Sequence, residues 1–357
     1  MYMNKVLLLL LVQFIVVSFF AQTDQEKAFE KAKEAIKMMD AGQIDESIQL
    51  LRECEKMDPE NYQYPYEIAY AHVLKEEYDK AAKILKKVKK YKFINSQVYQ
   101  MLGNCYSLMG KPEVAIKEYE MGMKVFPNSG NLHLEKGNIY LGQGKYDEAV
   151  VNYENGIAVD PTFTSNYYRL AKLFLNSRDK LSGLIYGEIF MNLERTTTRT
   201  QEMSELLYDA YQSSITLGDT MRVTFCKVII DAATIVSGEE FRLPLCAVFE
   251  NNFILALLGE QTLDLNSLAS IRKKFIENYF KKDAEEYPNV LFQFHKQMLD
   301  NGVFDAYNHY LFQIGNQEEF NQWKESHQKE FEEFVVWYIQ EENSLKITND
   351  TKFIRSR

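Results

Sequence analysis

The chain has 357 residues, of which 46% are hydrophobic and 26% are charged, and its formal net charge is −10 at pH 7. This acidic balance argues against nucleic-acid binding, because phosphate recognition needs a net basic surface. The length allows about two domains, and the many aromatic residues and few prolines favour an ordered, mostly helical chain.

The first element is an apolar N-terminal segment. Lys5 precedes residues 6–20, which are apolar except for Gln13 and Ser18. This run is shorter than the roughly 20 residues that a membrane-spanning helix needs, so it predicts a signal peptide over residues 1–21, cleaved after Ala21. We therefore expect an exported protein that is periplasmic or envelope-associated. An uncleaved helix that tethers the chain to a membrane is the alternative.

A period of 34 residues organises the next part of the chain: adding 34 to Gly103 and Tyr106 gives Gly137 and Tyr140. Small residues recur where two helices of a unit would approach most closely, at Ala35, Ala69, Gly103, Gly137 and Ala171 in the first helix and at Ser47, Ala81, Ala115, Ala149 and Gly183 in the second. Small side chains let helices pack at the short end of the usual ~8–10 Å axis separation. A fixed period of this kind predicts a solenoid of stacked helical hairpins.

The turns of these hairpins follow the same register. Glycine is expected where the first helix ends in a left-handed cap, and proline closes each unit. The residues at these places are Gly42, Gly110 and Gly144 for the cap and Pro59, Pro127 and Pro161 for the closure. The second unit departs from the pattern, with Glu76 at the cap and Phe93 at the closure.

These residues resemble the tetratricopeptide repeat family, whose units carry an aromatic-x2-L-G-x2-Y motif followed by Gly, Ala, an aromatic residue and Pro. In this chain the motif appears as Tyr99, Leu102, Gly103 and Tyr106. The resemblance implies an all-α fold with an α-solenoid of such hairpins, and the helical patterning of the later residues adds a helical C-terminal domain. The solenoid spans residues 22–195, with four clear repeats and a degenerate fifth at about 162–195.

In this family the first helices of successive repeats line a concave groove. The resemblance therefore implies that a protein or peptide partner binds there, through Gln63, Tyr66, Tyr70, Gln97, Gln100, Asn104, Asn131, Leu134, Asn138, Tyr168 and Lys172. Amides can pair with the backbone of an extended peptide, and tyrosines add contact area. The alternative is that these are ordinary exposed polar residues. The carboxylate clamp of chaperone adaptors is absent, since Glu135 would repel a carboxylate, so we expect a neutral ligand.

Lysines cluster on the predicted second helix of the second unit. Blocks of one charge are most often solvated, so an exposed convex face is the favoured interpretation, and a docking patch for an acidic partner is the alternative. The cluster contains Lys80, Lys83, Lys86, Lys87, Lys89, Lys90 and Lys92.

After Glu194 the register breaks. The polar residues 195–201 are predicted to form a loop, and residues 202–342 a helical C-terminal domain that begins with repeat-like spacing and then caps the solenoid. Helices are expected over 265–282, 290–299 and 303–314, and a last amphipathic helix carries Phe331, Phe334, Val335 and Tyr338. The polar tail, residues 343–357, is expected to fray.

The cysteines do not indicate a disulfide-rich scaffold. Cys54 and Cys105 lie on predicted helices of non-adjacent repeats and are expected to be free and buried. Cys226 and Cys246 could pair, but the sequence does not decide whether they do.

The sequence contains no convincing arrangement for catalysis, a metal or a cofactor. His295, His309 and His327 have no carboxylate or cysteine at metal-ligand spacing, and no phosphate-binding loop or nucleophile motif is present. We therefore expect a non-enzymatic interaction adaptor or scaffold of the cell envelope, whose oligomeric state the sequence leaves open. Two alternatives remain. The chain could be a structural subunit of an envelope assembly that contacts partners through its C-terminal domain, or a recruitment arm fused to a cryptic enzyme or ligand-binding domain.

Overall fold

The computed structural model describes residues 24–218, 220–227 and 242–355. The predicted all-α fold is confirmed, since the described strands are two residues each and form a single antiparallel pair. The predicted signal peptide, residues 1–21, lies outside the described residues. In the described ranges, every helix is too short or too polar to cross a lipid bilayer.

The chain forms two compact units: unit 1 ends at Ala149, and unit 2 begins at Val150. The boundary between repeats and C-terminal domain that the sequence suggests, at residues 195–202, stays a prediction. The helices up to this division and across it are α1 (residues 24–40), α2 (Ile44–Met57), α3 (Gln63–Leu74), α4 (Tyr78–Val88), α5 (Ser96–Leu108), α6 (Pro112–Val125), α7 (Gly130–Gly142) and α8 (Tyr146–Val159).

The small residues of the repeat pack between helices as predicted. All ten are buried, in both the first and the second helix of each hairpin. Gly103 shows why they must be small, because a Cβ atom added there would lie 2.1 Å from Cε1 of the buried Tyr119. The closeness of α5 and α6 therefore depends on the absence of a side chain at this position.

The hairpin turns repeat with nearly constant geometry. Gly42, Gly110 and Gly144 have φ values of +81°, +72° and +72°, which confirms the predicted left-handed caps. Glu76 adopts the same conformation, with φ of +58°, although it carries a side chain. In all four turns the N–H of the next residue donates to a carbonyl near the end of the first helix at 2.9 Å, the bond of a Schellman motif.

Unit 2 continues with two more helices of the repeat register and then changes. Its elements are α9 (Thr164–Leu175), α10 (Lys180–Glu194), α11 (Thr198–Ser214), β1 (Ile215–Thr216), β2 (Arg222–Val223), α12 (Leu245–Ala256), α13 (Leu265–Lys282), α14 (Val290–Asp300), α15 (Phe304–Leu311), α16 (Gln317–Ser326), α17 (Gln328–Tyr338) and a 3-10 turn (Glu341–Asn343). The helices predicted around 265–282, 290–299, 303–314 and Phe331–Tyr338 are all present.

Two predictions for this part of the chain are wrong. Residues 195–201 do not form a loop throughout, since α11 begins at Thr198 and Thr197 caps it through a reciprocal bond with Thr200. The threonines lack helical periodicity because they serve as a cap and first turn rather than as a packing face.

The C-terminal tail does not fray in its described part. Leu345, Ile347 and Ile354 are buried. Lys352 Nζ donates to the Ala158 carbonyl at 2.8 Å, and the Arg355 backbone N–H donates to the Tyr186 hydroxyl at 3.0 Å. The tail is polar in composition but places apolar residues at intervals, so it packs along unit 2.

One turn of unit 2 copies the repeat turn without copying its small residues. Gly302 has φ of +72°, and Val303 N–H donates to the Met298 carbonyl at 3.0 Å. Ala35 and Ser47 are the close-packing residues before and after Gly42. The equivalent positions around Gly302 hold His295 and Tyr307. Both of these polar side chains are buried.

Candidate functional site

The residues predicted to bind a partner differ in exposure along unit 1. Tyr70 is 41% exposed, whereas Leu134 is buried and belongs to the core. Of the others, Gln63 and Gln97 are exposed, and Tyr66, Gln100, Asn104, Asn131 and Asn138 are half-buried. The exposed and half-buried members lie on α3, α5 and α7, the first helices of consecutive repeats.

A series of side-chain hydrogen bonds, here called the amide ladder, joins α5 to α7. Ser96 Oγ donates to Asn131 Oδ1 at 3.1 Å, and Asn131 Nδ2 donates to Gln100 Oε1 at 2.8 Å. Gln100 Nε2 donates to Glu135 Oε1 at 2.8 Å, and Asn138 Nδ2 donates to Glu135 Oε2 at 3.1 Å. The structure thus brings three of the predicted amides together, next to Glu135, which the sequence analysis treated only as a repulsive charge.

The sequence spacing of these hydrogen-bonded pairs was enough to predict that they lie close together. Ser96 and Asn131 are 35 residues apart, as are Gln100 and Glu135. Polar residues about one repeat apart on first helices lie on the same face of neighbouring hairpins, so their bonding follows from the period of the sequence.

The amide ladder can still accept a ligand. The side-chain amides of Gln100 and Asn131 each have two N–H groups and an oxygen with two lone pairs, so the one bond that each makes at either end does not exhaust them. Glu135 has no salt bridge among the described residues, so its negative charge is not neutralised there. This chemistry suits N–H donors, such as those of an extended backbone, and disfavours a carboxylate.

Asn104 is held at the edge of this face by the second helix of its own hairpin. The Tyr119 hydroxyl donates to Asn104 Oδ1 at 2.5 Å. Burial raises the pKa of Tyr119, so its hydroxyl stays protonated and remains a donor. Gly103 makes this contact possible by leaving room for the ring.

Tyrosines dominate the part of the face on α3. Tyr62 and Tyr66 form an edge-to-face pair with ring centroids 6.5 Å apart. Burial is the main cause that raises the pKa of Tyr66 to about 12. These rings and the exposed Tyr70 give this end of the face an aromatic surface.

The two predicted residues of unit 2 are engaged internally. Lys172 Nζ forms a 2.6 Å ion pair with Glu202 on α11, and the Tyr168 hydroxyl bonds to the same carboxylate. The Arg199 guanidinium lies 5.1 Å from the centroid of the Tyr168 ring. Because residues of α11 bind these side chains, they are less available to a partner than the residues on α3 and α5 are.

Unit 2 also contains a fully buried polar cluster that the sequence analysis did not detect. Glu188 Oε1 accepts from Arg272 Nη2 at 2.6 Å, from His295 Nε2 at 2.6 Å and from the Tyr307 hydroxyl at 2.9 Å. Asn192 Nδ2 donates to the Tyr307 hydroxyl at 2.7 Å. We call these five residues the Glu188 cluster.

The charge states of the Glu188 cluster follow from burial and pairing. Burial raises the pKa of Glu188, but Arg272 and His295 outweigh it and bring the value to about 2. Burial lowers the pKa of His295 more than Glu188 raises it, so near neutral pH the ring is uncharged and donates its Nε2–H. The cluster is therefore one Glu–Arg ion pair with neutral donors around it.

The Glu188 cluster is closed to substrates. Its charged side chains are 2–3% exposed, and the cavity beside Arg272 measures about 10 Å³, roughly the space of one water. A catalytic carboxylate must reach its substrate, so this convergence of a carboxylate and a histidine is structural.

The cysteines resolve the question that the sequence left open. Cys226 and Cys246 form a disulfide with a Cα–Cα distance of 6.4 Å, and Cys54 and Cys105 are free and buried as predicted. Together with Glu250, the paired cysteines are the only potential metal-ligand group found in the described ranges. Metal binding requires thiolates, so the disulfide form of this group is not a metal site.

Comparison with known proteins bears on the repeats. Family models described as tetratricopeptide repeats match residues 27–92 and 96–128, and one described as a TPR repeat matches residues 137–177. No curated protein matches the chain.

Several solved structures are similar to about half of the chain. MamA from Desulfovibrio magneticus RS-1 has 16% identity and a TM-score of 0.37, over 48% of this chain and 97% of that one. PilF from Pseudomonas aeruginosa has 14% identity and a TM-score of 0.43, over 54% and 86%. A thermophilic TPR protein from Thermus thermophilus has 18% identity and a TM-score of 0.41, over 52% and 99%. By the matched models and by their own register, the hairpins of residues 27–177 are tetratricopeptide repeats.

Proposed function

We propose that this protein is an adaptor that holds an extended, uncharged segment of a partner protein against α3, α5 and α7. Tetratricopeptide repeats are protein-interaction modules, and the repeats of this chain support such a role. The amide ladder carries the finer proposal, because its amides and the Glu135 carboxylate offer bonding groups to a peptide backbone. The exposed Tyr70 would add aromatic contact to the same segment.

We propose further that the adaptor works in the cell envelope. The apolar segment at residues 6–20 favours export. The Cys226–Cys246 disulfide supports the same location, because disulfides persist in oxidising compartments and are rare in the cytosol.

Photocrosslinking in living cells tests the binding face. A photoreactive residue is placed at Gln97 or Tyr70 on this face, and at the exposed Lys117 on α6 as the matched control. We expect the same partner adduct from both face positions and none from Lys117. The Glu135→Lys exchange should remove the adduct, because a lysine repels backbone N–H donors.

Other outcomes would redirect the proposal. Adducts from Lys117 alone would move the interaction to the second helices. Adducts only from positions on α13 to α17 would favour the structural subunit that works through its C-terminal helices. Osmotic-shock fractionation with intact-mass measurement then tests the location, since an exported chain should be released without residues 1–21.

A further inference from the structure

Phe93 is an aromatic side chain that the repeat does not explain. It is 82% exposed and stands where three other units have the closing residues Pro59, Pro127 and Pro161. Three other repeats fold with proline at this position, so the packing of the repeat does not require an aromatic ring. Among the large hydrophobic side chains of the described residues, Phe93 is the most exposed.

Unpaired lysines precede Phe93 in the sequence. Residues 75–92 contain eight lysines and three acidic residues. Lys83 pairs with Asp79, whereas Lys87, Lys90 and Lys92 are exposed and form no ion pair within the described residues. We call Phe93 and these three lysines the basic knob.

A surface of the opposite character lies on α16 and α17 in unit 2. An open groove of about 900 Å³ has Phe331, Val335 and Val336 on its floor. Val336 is 58% exposed, and Ile339, directly after the same helix, is 67% exposed. We call this feature the acidic groove.

The rim of the acidic groove is negatively charged. Residues 317–343 contain eight glutamates and two lysines. Glu325 and Glu332 line the groove and have no cationic partner among the described residues. Lys324 is withdrawn over the Phe331 ring, at 4.7 Å from its centroid. The groove therefore combines an apolar floor with a carboxylate rim.

We propose that the basic knob of one copy of this protein binds the acidic groove of a second copy. Charge complementarity supports this occupant, because lysines close in sequence to an exposed ring match carboxylates around an apolar floor. The ring supplies the buried anchor, and the charges set orientation and association rate. Two different surfaces meet, so the contact is head-to-tail and can extend to a ring or an open chain.

Sedimentation velocity on the full chain over a range of concentrations measures this association. The wild type should associate, and Phe93→Ser and Val336→Lys should each weaken association at least about tenfold, as expected for an anchor and its pocket. A mixture of the two variants should form a 1:1 dimer, since one retains an intact groove and the other an intact knob. Higher salt should weaken both wild-type and mixed species.

Matched exchanges control for exposure and folding. Val125→Ser and Leu258→Lys alter residues that are 54% and 59% exposed outside both surfaces, and should associate like the wild type. Circular dichroism verifies that every variant is folded. A wild type that stays monomeric up to about 1 mM, beyond the range of useful specific binding, overturns the proposal. So does a Phe93→Ser or Val336→Lys variant that still associates fully, or a mixture that stays monomeric.

Discussion

The two units keep their helices in register by different means. In unit 1, neighbouring helices meet at small residues around apolar clusters, and the buried Glu118 pairs with the partly exposed Lys89. In unit 2, the register is lost after α10, and the core contains the charged Glu188 and Arg272. The difference indicates that the repeats specify their packing mainly by space, whereas the non-repeating helices add a fully buried ion pair.

The α14–α15 hairpin shows where the change occurs. It retains the left-handed turn at Gly302 but has His295 and Tyr307 in place of small residues. Both side chains reach Glu188 on α10, and Arg272 reaches it from α13. A buried polar group tolerates few arrangements, so the Glu188 cluster fixes how these helices pack on α10.

Removing the cation of the Glu188 cluster should have the largest effect. Arg272→Met leaves Glu188 charged and buried without its ion partner, which should destabilise unit 2 by about 3–5 kcal/mol. Both tryptophans, Trp323 and Trp337, lie in unit 2, so tryptophan fluorescence during urea unfolding reports on this unit.

Lys274→Met on the same helix is the matched control. Lys274 pairs with Glu260 at the surface, so its loss should cost about 1 kcal/mol or less. Replacing both charges, with Glu188→Leu and Arg272→Met together, should recover part of the stability, since no unpaired charge remains. Equal unfolding midpoints for Arg272→Met and Lys274→Met would show that the cluster does not stabilise unit 2.

Acid should weaken unit 2 in two stages. His295 has a lowered pKa in the folded state, so below about pH 6.5 the unfolded chain binds the extra proton and stability falls. Glu188 has a pKa of about 2 when folded, so its contribution is present above the unfolded value and is lost as the pH falls towards 2. The second stage should amount to about 3 kcal/mol. Urea unfolding by tryptophan fluorescence from pH 7 to pH 2 measures both, and a profile that does not change with pH would contradict the assignment.

Filling the close contact of unit 1 should have a smaller effect. Gly103→Ala places a Cβ against the buried Tyr119 ring and should cost about 1–3 kcal/mol. Because unit 1 has no tryptophan, urea unfolding is followed by far-UV circular dichroism. Gly142→Ala is the control: nothing lies within 4 Å of its added Cβ, and it should stabilise α7 by up to about 1 kcal/mol. If both variants unfold alike, close packing at Gly103 is not what the repeat requires.

The sequence predicts those parts of the fold in which the contacts are periodic. The small residues, the turn glycines and the hairpins all follow from a 34-residue repetition, because neighbours in space are one period apart. Amphipathic helices such as α13 are likewise predictable, since Leu268, Ile271 and Phe275 form one buried stripe. These helical patterns are sufficient to predict the all-α class.

The Glu188 cluster and the disulfide could not be predicted from a periodic pattern. Glu188 and His295 are 107 residues apart and share no period, so nothing in one position specifies the other. The C-terminal tail was misjudged for a related reason, since its polar composition hides three spaced apolar anchors.

The candidate site was predictable in part. The register places the amides on α5 and α7, but Glu135 was considered only as a repulsive charge. It is in fact the acceptor to which Gln100 and Asn138 donate. Which of two amides bonds to a given carboxylate depends on rotamers, which a sequence pattern does not specify.

The repeats themselves contain one exception that sharpens the comparison. Glu76 has φ of +58° where the other turns have glycine, a conformation that costs a residue with a Cβ about 1 kcal/mol. Glu76→Gly should therefore stabilise unit 1 by about 1 kcal/mol, seen as a higher urea midpoint by far-UV circular dichroism. Gly110→Glu reproduces the exception in the next turn and should lower the midpoint by a similar amount. If Glu76→Gly instead destabilises unit 1, the Glu76 side chain contributes an interaction that outweighs its strained backbone, and the turns are not equivalent.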